Sequence, residues 1–71
     1  MMKRFGKKLR TLREKQGLSY RQLATEIGYS HVHLIGVERG EHMPSAELVL
    51  KLAQYFKVTT DQLLQDDQDV D

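Results

Sequence analysis

Three residues, Gly28, Tyr29 and Ser30, are all that separate two apolar-periodic segments, and this connection constrains the chain more than any other feature. On the upstream side, Leu23, Ala24 and Ile27 mark one face of a helix that Gly28 closes. On the downstream side, Ser30 is a side-chain cap for the next helix, in which Leu34 and Val37 share a face at i, i+3 spacing. So short a connection containing glycine cannot lay two helices side by side; it makes them cross steeply, at roughly 90 to 120°.

The other elements follow from the same kind of signal. Phe5, Leu9 and Leu12 recur at i, i+4, i+7 and place a first helix from about Lys3 to Gln16, with Gly17 as its stop and Leu18 folding back on the core. Ser19 with Gln22 forms a capping box at the start of the second helix, and Thr59 with Gln62 repeats it before a short fifth helix anchored by Leu63 and Leu64. The third helix ends at Gly40, read as left-handed backbone; Glu41, His42 and Met43 form a loop, Pro44 interrupts, and Ser45 caps a fourth helix. Leu48, Leu52, Ala53 and Phe56 are the buried stripe of that helix. No segment alternates with period two, so the expected fold is all-α, a compact bundle of five helices.

Charge is unevenly spread. Residues 1 to 15 hold Lys3, Arg4, Lys7, Lys8, Arg10, Arg13 and Lys15 against Glu14 alone, the middle is balanced, and the end carries Asp61, Asp66, Asp67, Asp69 and Asp71. The basic first helix offers a footprint for a phosphate backbone, although a charge-rich face is also an ordinary solvated face. Residues 1–66 read as one domain, and 67–71 as an acidic, disordered tail with nothing left to bury. A chain of 71 residues supports only a small core, which makes a second subunit plausible. With no cysteine, disulfides and thiol chemistry are excluded. No apolar run is long enough to span a membrane, so the reading is a cytoplasmic protein.

The ordered set Arg13, Gly17-Leu18-Ser19, Leu23-Ala24, Ile27-Gly28, Ser30, Glu38-Arg39-Gly40, Pro44-Ser45, Leu52-Ala53, Val58 and Leu63-Leu64 resembles the phage repressor and Cro-like helix-turn-helix family, over about residues 3 to 65. The resemblance implies a lambda-repressor-like fold whose second and third helices form the helix-turn-helix. It also implies binding of double-stranded DNA, commonly as a homodimer on a palindromic operator. Arg13 and Glu38 match a pair that in this family bridges the first helix to the end of the third, a structural role; breaking a buried pair typically costs about 3 to 5 kcal/mol.

Carried over by position, the base-reading candidates are His31, Val32, Ile35 and Gly36, with His33 at the margin, on the outer side of the third helix. The phosphate candidates are Tyr20 and Arg21 at the start of the second helix, Ser30, and Arg39 with His42 beyond the third. The set departs from the strongest readers, since the outer face of the third helix has no Arg, Lys, Asn or Gln. His31 can make one hydrogen bond, and Val32 and Ile35 can touch thymine methyls. Glu41 stands in the loop where the family often has a basic residue.

Two other classes compete with a dimeric repressor or controller. Val32, Ile35 and Gly36 would equally suit an apolar patch for a protein partner, in the manner of an antitoxin or antirepressor-type module. An enzyme is disfavoured, because the sequence has no cysteine nucleophile, no phosphate-cradling glycine loop and no metal-ligand cluster. His31 and His33 diverge by about 200° on a helix and cannot share a zinc ion, so no metal or cofactor is expected. Tyr55 and Phe56 are assigned to the core or a subunit contact, and the dimer contact to the fifth helix and the end of the fourth.

Overall fold

The computed structural model describes residues 4–70, and a short-range side-chain cap opens every helix but the first. The five are α1 (Phe5–Lys15), α2 (Tyr20–Ile27), α3 (His31–Glu38), α4 (Ala46–Phe56) and α5 (Thr60–Leu64), with no strand among the described residues. Both capping boxes are closed in both directions: the Ser19 hydroxyl accepts from the Gln22 amide while the Ser19 amide donates to Gln22 Oε1, and Thr59 with Gln62 does the same. Ser30 and Ser45 accept from His33 and Leu48 at the starts of α3 and α4.

Between α2 and α3, Gly28 takes φ 68°, which lets the Tyr29 amide donate back to Ala24 O at 2.8 Å and turns the chain abruptly. Gly17 and Gly40 are also left-handed, as is Lys57, the one non-glycine residue with positive φ among those described. Lys57 terminates α4 in the way a glycine would, with Val58 N bonded to Ala53 O at 3.1 Å.

The core is one cluster: Phe5, Leu9 and Leu12 from α1; Leu23, Ala24 and Ile27 from α2; Leu34 and Val37 from α3; Leu48, Val49, Leu52, Ala53 and Phe56 from α4; and Leu63 from α5. The pairs α1–α3, α2–α3, α2–α4, α4–α5 and α1–α5 pack against one another, so α1 lies between the third helix and the fifth. The positions expected inside on α1 to α4 are inside, as is Leu63, whereas Leu18 and Leu64 are only partly buried against the core; Val49 joins the buried set.

Three expectations are corrected. Lys8, counted with the basic face of the first helix, is 2% exposed: its ammonium donates to Gln62 O at 2.5 Å and to Gln65 O, closing the C-terminal end of α5 from inside the core. Lys8 completes the apolar stripe at i, i+3, i+4, i+7 with Phe5, Leu9 and Leu12, and a lysine stem can be buried where its head finds carbonyls. The acidic end also has something to bury. Val70 packs against the core, Arg4 N donates to Asp66 Oδ1 at 3.0 Å, and the Arg4 guanidinium bonds Asp66 O and Asp69 Oδ1, each at 2.6 Å. Gly36, expected on the outer side of the third helix, is buried as well. The expected helix start at Lys3 and the tail residue Asp71 lie outside the described residues.

Candidate nucleic-acid interface

The outer side of α3 is held in place from beneath by an ion pair. Arg13 Nε and Nη2 donate to the two carboxylate oxygens of Glu38 at 3.1 and 3.0 Å, and Nη1 donates to Leu18 O at 2.7 Å. The Glu38 side chain is 3% exposed and that of Arg13 11%, so this bidentate pair is largely out of water. Donation to the Glu38 carboxylate holds the guanidinium further into its charged form than usual, outweighing the opposing effect of burial. Tyr20 lies 4.2 Å beneath the same guanidinium. Its ring is therefore a floor for Arg13, at the start of α2 where a phosphate contact was expected.

On this support α3 presents His31, Val32 and Ile35. Val32 is 66% exposed, and His31 and Ile35 are half-buried. Arg21, from the start of α2, lines one shallow depression with Tyr29 and His31, so a cation flanks the outer face on that side. Ser30 is exposed, its hydroxyl engaged as the cap of α3. Arg39 is exposed at the opposite end of α3.

Gly36 does not share that outer face. It is buried beneath the ring of His42: a Cβ at this position would stand 2.1 Å from His42 Cδ2. The loop after α3 returns over the helix, with the Glu41 and His42 amides both donating to Gly36 O, at 2.8 and 3.3 Å. The His42 ring then stacks on His33, with centroids 5.2 Å apart and planes 7° from parallel, and Tyr29 also packs on His33, tilted by 60° at 5.4 Å. Gly36 is thus a seat for His42 and offers no surface to a base. The available signal was a glycine inside a helical pattern, which usually marks close packing. The residue that would occupy the space was not legible, because it comes from the loop.

A second close approach sits nearby. A Cβ on Gly6 would stand 2.2 Å from Glu38 O, so α1 crosses the end of α3 with backbone nearly touching backbone. Lys7, Glu38, Arg39 and His42 line the concavity formed there. Among the described residues no three acidic or histidine side chains are grouped as metal ligands.

A helix-turn-helix family model matches residues 9–63, which include every element except the first turn of α1 and the end of α5. An HTH-type transcriptional regulatory protein of Pyrococcus horikoshii is 43% identical over 51 residues, 72% of this chain and 16% of that protein. The HTH-type transcriptional regulator ImmR of Bacillus subtilis is 32% identical over 63 residues, 89% of this chain and 50% of ImmR. The chain therefore spans between about a sixth and a half of the length of these two relatives. Among solved structures, the restriction-modification controller protein C.AhdI from Aeromonas hydrophila superposes with a TM-score of 0.77 at 38% identity, covering 84% of this chain and 91% of that one.

Proposed function

This chain belongs to the helix-turn-helix family, and from that premise we propose that it is a DNA-binding transcriptional regulator that inserts α3 into the major groove. The observation that carries the reading is the composition of one surface: His31, Val32 and Ile35 on α3, flanked by Arg21 on one side and Arg39 on the other. Arg21 and Arg39 contact phosphates and set the register; His31 makes the polar contact to a base edge, and Val32 and Ile35 meet thymine methyls. His33 and Tyr20 support their neighbours, and Ser30 meets the backbone at the start of α3. The names of the regulatory relatives and the likeness to a controller protein support control of transcription by operator occupancy.

The working form is a homodimer on a palindromic operator. A groove between α4 and α5, lined by Pro44, Ala46, Val49, Leu50, Thr60 and Leu64, is mostly apolar, and Leu50 is 53% exposed beside it. We assign it to a second copy of the chain. It places the contact on α5 and the first half of α4, nearer the start of α4 than the position of Tyr55 and Phe56 suggested. No helix among the described residues is long and apolar enough to cross a membrane, and the proposed place of action is the cytoplasm.

Selection from a random duplex library at about 150 mM salt, repeated at higher salt, tests this reading. The expected result is an enriched palindrome with half-sites about one helical turn apart, T-rich where Val32 and Ile35 would lie, with Arg39→Ala weakening all sequences and His31→Ala relaxing one position. Weak, sequence-blind binding would sink the proposal and favour a protein partner docked on Val32 and Ile35.

A further inference from the structure

Of the basic residues on α1 and just before it, most are committed within the chain. Arg4 is held by Asp66 and Asp69, Lys8 by the carbonyls of Gln62 and Gln65, Arg10 by Glu14 and Arg13 by Glu38. Lys7 and Lys15 have no acidic partner among the described residues, and Lys7 stands beside the end of α3. It lines the concavity at the α1–α3 crossing together with Arg39 from the end of α3 and His42 from the following loop. Neither Arg39 nor His42 has an acidic partner among the described residues either. The one carboxylate among the residues lining the concavity, Glu38, already has its charge paired with Arg13.

Two features fix this geometry. The absent Cβ of Gly6 sets how closely α1 approaches Glu38 O, and so where Lys7 stands; the absent Cβ of Gly36 lets the His42 ring lie on α3, where stacking on His33 orients it. Lys7, Arg39 and His42, from three parts of the chain, then line one opening. We propose that Lys7, Arg39 and His42 bind a single phosphodiester of the DNA backbone, so that α1 takes part in docking through one residue. The inference rests on the reading of α3 as the DNA-binding helix. It adds a contact that the basic composition of the first helix, taken as a whole, could not locate.

The test is the salt dependence of duplex binding by the full chain and by Lys7→Ala, Arg39→Ala, the double variant and Lys15→Ala as a charge control. Each neutralised phosphate contributes about 0.9 to the slope of log affinity against log salt. If Lys7 and Arg39 share one phosphate, the double variant loses about 0.9 in total, with each single variant losing part of it; two separate phosphates would give about 1.8. Affinity of Lys7→Ala should fall several-fold at about 100 mM salt while Lys15→Ala changes little. Gly36→Ala, which must evict the His42 ring, should weaken binding in the same salt-dependent way.

An unchanged slope in Lys7→Ala, equal effects of Lys7→Ala and Lys15→Ala, or a loss near 1.8 in the double variant would each overturn the shared site. Saturable shifts of the Lys7 and His42 resonances with millimolar inorganic phosphate, with an unchanged DNA slope in Lys7→Ala, would reassign the pocket to a free anion and also overturn it. Failure of the unmodified chain to bind any duplex would instead remove the function on which the inference rests.

Discussion

Lys8 shows how far a residue's role can lie from its chemical class. A charged side chain that is 2% exposed needs every proton engaged or compensated, and here the partners are carbonyls at the end of a five-residue helix. Methionine keeps most of the volume and removes the donors. Lys8→Met is expected to cost about 1 to 3 kcal/mol, the penalty for buried acceptors left unsatisfied, with faster amide exchange concentrated in α5. Urea denaturation with hydrogen exchange checks both, and a neutral result would mean that desolvation of the ammonium cancels its hydrogen bonds. The stripe containing Lys8 was legible in the sequence. That a lysine could join it depended on carbonyls more than fifty residues away, which no local pattern reveals. The same reason hid the seat at Gly36: helical spacing places it on the outside, and only the returning loop covers it. His31, Val32 and Ile35 lie on α3 as spacing alone suggests, because neighbours on one helical face depend on nothing beyond the helix.

At the level of elements, the chain announces itself well wherever a signal spans four residues or fewer. Capping boxes at Ser19 and Thr59, caps at Ser30 and Ser45 and the left-handed turn at Gly28 mark the start of every helix but the first and the end of α2. The exceptions are instructive. The start of α1 has no side-chain cap of its own, and Asp66 from the far end of the sequence accepts the Arg4 amide instead. The end of α4 falls on Lys57, whose residue type does not signal a left-handed turn. Helix-to-helix distance is set by Gly6 against Glu38 O, where a Cβ would meet backbone that cannot swing aside. Gly6→Ala is therefore expected to destabilise the fold by about 1 to 3 kcal/mol through overpacking, even though alanine favours the helix itself. A lowered denaturation midpoint with an unchanged slope against denaturant would carry that interpretation; a midpoint that stays or rises would show that α1 can slide away from α3 at little cost.

For the whole molecule, the opposite charges at the two ends of the sequence are a contact and not merely a dipole. The Arg4 hydrogen bond and charge hold the Asp69 carboxyl below its ordinary range. A carboxyl lowered on folding lends stability above its unfolded value of about 3.9, and loses it as pH falls through the lower folded value. NMR titration should place the Asp69 midpoint below about 3.9, with Arg4→Ala returning it to that value and about 1 M salt moving it the same way, since the pair is exposed and screened. A midpoint indifferent to Arg4 would mean the contact does not persist in solution. Asp66 and Asp69 hold Arg4, the residue that precedes α1. Because Arg4 touches Asp69, the path through the five helices is nearly a closed ring, cut at one corner. A short peptide bridging that corner would let the ring be reopened elsewhere, for instance in the loop after Gly40, with all five helices retained in cyclic order.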